Sequence, residues 1–329
     1  MIRQLTSMVL LIIWYIYTSY GYLSPLILIN KHDEIINFVQ EIWQILCAYG
    51  IKYGFQSDIY YTDKIEIKQN NKINIFVCNH VASIDMFIIL GFLKHCGIGK
   101  WIAFTKKELV YFPGFGLSCK FGKHIKLARN WDEDKDSMIK QFEKIDEGNI
   151  IIFPEGTRFE PKKFQEGQIF SQENGLPIYD NLLVPRTKGL YMLYNYLKEN
   201  NKLGDMYDIS VIIQNFLGKK AHMSELFSKP MGNTFLITRK LNIPSNLSDM
   251  FDFKMWFLKE WKEKDKLINM YQTIVYEKMK SINEKSTLFL NVAFFGLCTY
   301  GLFTQKYLRY YFMGSIGLGY LLTFVQSSG

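Results

Sequence analysis

No C-x-x-C pair occurs in this chain, and its five cysteines, Cys47, Cys78, Cys96, Cys119 and Cys298, stand apart in mostly apolar surroundings. A zinc spacing and a disulfide scaffold are thereby excluded, leaving structural thiols in a reducing compartment. No metal site is expected. A G-x-S-x-G elbow, an H-E-x-x-H pair and a P-loop are also missing, which removes serine hydrolase, zinc peptidase and NTPase readings. "GFGLSC", from Gly114, lacks the third glycine and the βαβ setting of a dinucleotide loop and reads as a close-packed turn. There is no internal repeat and no low-complexity domain, and with 48% hydrophobic residues the chain is neither disordered nor fibrous.

What is present begins with charge and long apolar runs. Lys and Arg outnumber Asp and Glu by 39 to 31 over 329 residues, a net charge of +8 that suits an anionic membrane surface, anionic small molecules or nucleic acid. No recognition module accompanies the charge, so nucleic acid is not an expected partner. Leu5 to Ile29 is uncharged and aromatic, long enough for a bilayer core of roughly 20 residues, and it lacks a cleavage site. Thr287 to Phe303 and Leu308 to Val325 are two further apolar runs split by "TQKYLR". These features predict an N-terminal membrane helix and a C-terminal membrane hairpin; a buried helical pair is the alternative for the hairpin.

Between them the pattern is α/β. "INIFVCNH", "NIIIFPEGTR" and "DISVIIQNF" read as strands, and "IDMFIILGFLKHC" as a helix. "DEDKDSMIKQFEKIDEG" reads as an amphipathic helix with Met138, Ile139, Phe142 and Ile145 on one face and Gly148 as its stop. Such alternation predicts a mixed, largely parallel sheet flanked by helices. "WFLKEWKEKDKLINMY" carries Trp256 and Trp261 on a helix that either touches the bilayer or packs on the central domain.

In "NHVASID", His80 and Asp85 interrupt the passage from strand to helix. Five positions along a helix turn through about 140° beyond one full turn, so the two side chains meet only if His80 lies in the loop. Ser83 at the N-cap and Asp85 in the first turn would let the loop bring His80 onto the carboxylate. The carboxylate then orients Nδ1, and Nε2 can remove a proton from a hydroxyl. The alternative is a histidine that satisfies turn carbonyls beside a helix-start aspartate. In "FPEGTR", Pro154 stops the strand, Arg158 can make bidentate bonds to phosphate, and Gly156 and Thr157 can offer backbone N–H groups. Glu155 can hold the arginine or accept from a substrate hydroxyl; an ordinary β-turn with a surface ion pair is the alternative. Lys106, Lys107, Lys120, Lys123, His124 and Lys126 form a basic cluster that either meets anionic phosphates or is a solvated surface.

"NHVASID" matches N-H-x-x-x-x-D and "FPEGTR" matches F-P-E-G-T-R, two ordered motifs that resemble the glycerolipid acyltransferase family. Between them, "KKELVYFPGFGLSCKFGKHIKLARNW" resembles the second block of the lysophosphatidate and lysocardiolipin acyltransferase branch, and "LLVPRTKGL" resembles the fourth. The resemblance covers roughly residues 76–271. It implies transfer of a fatty acyl group from acyl-CoA to the free hydroxyl of a lysophospholipid, with no bound cofactor, acyl-CoA as co-substrate and the lipid bilayer as a partner. It carries the base and its partner onto His80 and Asp85, phosphate binding onto Arg129, Glu155, Gly156, Thr157 and Arg158, and an acceptor or donor pocket onto Asn79, Pro185 and Lys188. The most direct acceptor is 1-acylglycerol-3-phosphate, giving phosphatidate in phospholipid biosynthesis; remodelling of lysophosphatidylinositol or lysocardiolipin is the alternative. A silent lipid-binding scaffold is the rival outside enzymes. Ala128 replaces the acidic residue that many bacterial and plastid relatives carry before the arginine, which bears on the acceptor head group. The expected division is a membrane segment (1–31), a catalytic domain (32–245), an amphipathic extension (246–285) and a membrane hairpin (286–329), in an integral membrane protein of the endoplasmic reticulum.

Overall fold

The structure is a computed structural model that describes residues 33–67, 71–111, 118–119, 121–219, 221, 225–226 and 231–280. In chain order it runs α1 (Asp33–Tyr49), a π-helical turn (Gly50–Gly54), β1 (Ile59–Tyr61), β2 (Ile73–Cys78), α2 (Asp85–His95), β3 (Trp101–Lys106), β4 (Ile125–Leu127), α3 (Trp131–Phe142) and β5 (Gly148–Ile152). It continues with α4 (Pro161–Glu173), α5 (Thr187–Glu199), β6 (Leu203–Ile213), β7 (Thr234–Leu241), α6 (Met250–Asn269) and β8 (Glu277–Lys278). The strands form one eight-stranded sheet in the order β4-β3-β5-β2-β6-β7-β1-β8. Only β6 with β7 and β1 with β8 pair antiparallel.

β2 lies between β5 and β6 and all six of its residues are buried. Its side chains alternate between two cores. Phe76 and Cys78 join Cys47 and Ile51 from the α1 region and Ile88 and Phe92 of α2. Ile73, Ile75 and Val77 join Phe142 of α3, Leu193 of α5 and Phe257 of α6. A strand covered on both faces has no need of polar alternation, which explains the continuous apolar run "INIFVC".

The expected fold is corrected in its membrane elements. Among the described residues no helix is long and apolar enough to cross a membrane. The three segments assigned to the bilayer, within 1–32 and 281–329, lie outside the described residues, as does "GFGL" at 114–117. Two local expectations also change, and one open alternative is decided. Ile139 is 40% exposed while Met138, Phe142 and Ile145 are buried, so the apolar face of α3 is narrower than the pattern suggests. Gly148 opens β5 instead of closing α3; its φ is +131°, and a Cβ there would meet the Lys100 carbonyl oxygen at 2.8 Å. Trp261 is buried on the sheet, its indole N–H donating to the Leu183 carbonyl at 3.1 Å, so α6 packs on the domain through this residue. α1 is an element the sequence reading does not anticipate.

Candidate active site

β5, β2 and β6 are parallel neighbours, so their C-terminal ends open on one edge of the sheet, where ligands of open α/β sheets bind. His80 follows β2, Glu155 follows β5, and the end of β6 supplies Val211 to Ile213. Together with Phe159 and Phe216 these residues line a shallow, solvent-open pocket of about 340 Å³, open solvent included.

β2 ends because Asn79 takes over its pairing. The Asn79 amide accepts from the Val211 N–H at 2.7 Å and donates to the Val211 carbonyl at 2.9 Å. One side chain thus satisfies the two main-chain groups of β6 that lie past the last paired residue of β2, and the Asn79 backbone is free to turn. Asn79 borders the pocket, but its amide is committed to this bracket.

The turn places His80 Nδ1 at 2.8 Å from Asp85 Oδ2. The same oxygen accepts from the N–H groups of Val81 at 2.6 Å and Ala82 at 2.9 Å, so one carboxylate both shapes the loop and holds the ring. Because a carboxylate is acceptor-only, Nδ1 carries the proton and Nε2 the basic lone pair. Nε2 has no partner among the described residues, and the imidazole is one-quarter exposed while the Asp85 side chain is fully buried. α2 begins at Asp85, with Ile84 at the N-cap and no side-chain cap bond; Ser83 lies in the turn and is not the expected cap.

The "FPEGTR" turn is laced to this loop. The His80 carbonyl accepts from the Phe159 N–H at 2.7 Å, the His80 N–H donates to Glu155 Oε2 at 3.2 Å, and the His80 and Phe153 rings stand 4.6 Å apart. Arg158 donates through Nη1 to Ser83 Oγ. Glu155 is 3% exposed and also accepts from the Leu183 N–H; burial pushes its carboxyl up to about 8. It therefore ties the loops after β2 and β5 to the segment before α5, and Arg158 is not its partner. Gly156 has φ +68° and spends its N–H on the Phe153 carbonyl, so that group is not offered to a ligand. Thr157 Oγ1 accepts from Lys163 at 2.7 Å.

The remaining predicted residues sit further out on the same edge. Arg129 follows β4, which is two strands from β5, about 10 Å at ordinary strand spacing. Its φ of +66° is rare for a residue with a side chain. That turn is held by Asp134, which accepts from the Ala128 N–H at 2.7 Å, and by Asn130, which caps α3. Lys188 lies over the Trp131 ring, 5.2 Å from its centroid, and Pro185 is buried. Neither lines the His80 pocket. Of the basic cluster, His124 is 2% exposed, stacked on Trp101 with its Nδ1 accepting from Ala103, and burial lowers it to about 3. It is a neutral core residue and not a phosphate ligand.

Sequence reasoning passed over Arg186. Its N–H donates to the Pro154 carbonyl at 2.7 Å, and its side chain crosses Gly156, where a Cβ would lie 3.3 Å from Arg186 Cδ. Its place directly after Pro185 in the fourth block is the signal that could have found it.

Residues 59–213 match the family model described as acyltransferase. The chain is 27% identical over 218 residues to lysocardiolipin acyltransferase 1 of Gallus gallus, covering 64% of this chain and 56% of that protein. It is 24% identical over 283 residues to a probable 1-acyl-sn-glycerol-3-phosphate acyltransferase 5 of Arabidopsis thaliana, covering 82% and 71%. Among solved structures it is similar to the 1-acyl-sn-glycerophosphate acyltransferase of Thermotoga maritima, with a TM-score of 0.46 and 17% identity over 80% of this chain and 96% of that one.

Proposed function

We propose that the chain, whose residues 59–213 match the acyltransferase family model, is a glycerolipid acyltransferase that moves a fatty acyl group from acyl-CoA to the free hydroxyl of 1-acylglycerol-3-phosphate, giving phosphatidate. The observation that carries this reading is the His80–Asp85 pair, its Nε2 open to a pocket on the sheet edge. An acceptor hydroxyl at Nε2 loses its proton to the ring as its oxygen attacks the thioester carbonyl. When the carbon–sulfur bond breaks, the imidazolium returns that proton to the departing CoA thiolate, so the products are an ester and a free thiol. Asp85 stabilises the imidazolium between the two steps. No enzyme-bound acyl group is required.

Arg158 supports the phosphate end of the reading. It stands beside Ser83 in the loop that carries His80, and a guanidinium grips phosphate oxygens in a bidentate fork. The apolar wall from Val211, Ile213 and Phe216 suits an acyl chain. The test is incubation of the full chain with labelled acyl-CoA and a panel of lysophosphatidate, lysophosphatidylinositol and lysocardiolipin. Labelled phosphatidate is the expected main product. Exclusive labelling of a different acceptor would replace the substrate, and no transfer to any acceptor would replace the activity with lipid binding.

A further inference from the structure

Two guanidiniums meet at one turn. Arg158 belongs to the turn after β5, and Arg186 is fastened to the same turn by its own N–H at Pro154 and by its stem lying over Gly156. No carboxylate among the described residues forms an ion pair with either arginine. The nearest acid of the turn, Glu155, is buried and faces the His80 and Leu183 N–H groups. Both arginine side chains are solvent-exposed, so the positive charge of two groups is left facing outward at a turn that is linked to the His80 loop.

A phosphomonoester carries about −1.5 to −2 charge near neutral pH and three terminal oxygens. A phosphodiester carries one charge and two such oxygens. A single bidentate arginine saturates the diester, whereas the monoester has an oxygen and charge to spare for a second fork. We propose that Arg186 is a specificity-determining residue, forming with Arg158 a two-guanidinium seat that favours a phosphomonoester acceptor over lysophospholipids whose phosphate is a diester. This rests on the chain being a lysophospholipid acyltransferase. It also gives Gly156 a second reason to lack a side chain, because a Cβ would crowd the Arg186 stem at 3.3 Å.

The experiment compares wild type, Arg186→Gln and Arg186→Lys, all as full chains in detergent micelles, with lysophosphatidate and lysophosphatidylinositol as acceptors. Arg186→Gln should raise KM for lysophosphatidate about 10- to 100-fold, as loss of a charge-assisted contact does, with kcat and the KM for acyl-CoA nearly unchanged. The KM for lysophosphatidylinositol should change much less, so the preference between acceptors collapses. Arg186→Lys, which keeps the charge and loses the fork, should fall between. Equal losses for both acceptors, or a raised KM for acyl-CoA, overturns the assignment. Equilibrium binding of the two lysophospholipids separates this from the activity itself. If no acceptor turns over, the acyltransferase reading fails, yet selective loss of lysophosphatidate binding in Arg186→Gln still supports the seat. Equal binding by the variants, or none by wild type, refutes it.

Discussion

His80 owes its tautomer to Asp85, and Asp85 owes its position to the two N–H groups of Val81 and Ala82. Replacing Asp85 by Asn keeps the shape, because the amide oxygen can take the place of Oδ2 toward the two N–H groups and the ring, but it removes the negative charge that stabilises the imidazolium. Asp85→Asn should lower kcat by about 10²- to 10⁴-fold with KM little changed, measured as thiol release from acyl-CoA. Asp85→Ala should also lower stability, because buried N–H groups left without an acceptor cost about 1–3 kcal/mol each. Glu155 makes a different prediction. Its carboxyl is raised from about 4.5 to about 8 by burial, so between those values the folded chain holds a proton that the unfolded chain has released. Its contribution to stability therefore falls as pH rises through that window and levels off above about 8, by at most about 1.4 kcal/mol per pH unit. Denaturation of wild type and Glu155→Gln from pH 5 to 8.5 should show the difference between them shifting in favour of the glutamine as pH rises. A constant difference would mean that Glu155 is ionised throughout.

Elements decide which of these residues meet. The end of β2 is set by one amide, since Asn79 takes both main-chain groups of Val211. Asn79→Leu leaves that N–H and carbonyl unsatisfied and should destabilise by about 2–4 kcal/mol on chemical denaturation, with activity lost alongside as the His80 loop loses its anchor. A second element-level test is the residue that leads into β4. Burial holds His124 at about 3, so below its ordinary range the unfolded chain binds a proton that the folded chain refuses. Stability is then lost as pH falls from about 6.5 toward 3, and His124→Phe should soften that acid limb while costing the Ala103 bond. The sequence made "NHVASID" and "FPEGTR" legible because each packs its chemistry into consecutive residues, and helix geometry lets His80 meet Asp85 only from the loop. The partners of these residues were not legible. Arg186 over Gly156, Glu155 against Leu183, and Asn79 against Val211 join segments far apart in the chain, and only the strand order β5-β2-β6 brings them to one edge. His124 was misplaced because a histidine among lysines looks basic until its burial is known.

At the scale of the whole molecule, the site is a shallow rim on a sheet buried on both faces, and a buried charge network lies close to it. Asp208 on β6 is 2% exposed and accepts from Lys264 of α6 at 2.6 Å and from Arg239 of β7 at 2.8 Å. Lys264, fully buried, also donates to the Ile209 carbonyl at 2.9 Å and lies over the Trp261 ring. Removing the shared anion leaves the buried Lys264 without a carboxylate, while Arg239 keeps Glu260 at 3.3 Å, so Asp208→Ala should cost about 3–5 kcal/mol. Lys264→Met should cost less, because Arg239 still serves Asp208 and the methionine fills the space. A reversed order would show that the network is held chiefly by the lysine. Segments from the ends of three parallel strands line the pocket beside His80, and the proposed activity depends on the ring nitrogen that Asp85 leaves free. The direct measurement is single-turnover transfer from labelled acyl-CoA to lysophosphatidate by wild type and by His80→Ala, with matched thermal unfolding and lysophosphatidate binding. Wild type should form product, and a folded His80→Ala that still binds the acceptor should form none above background. Transfer retained by that variant would contradict the assignment of His80 as the base.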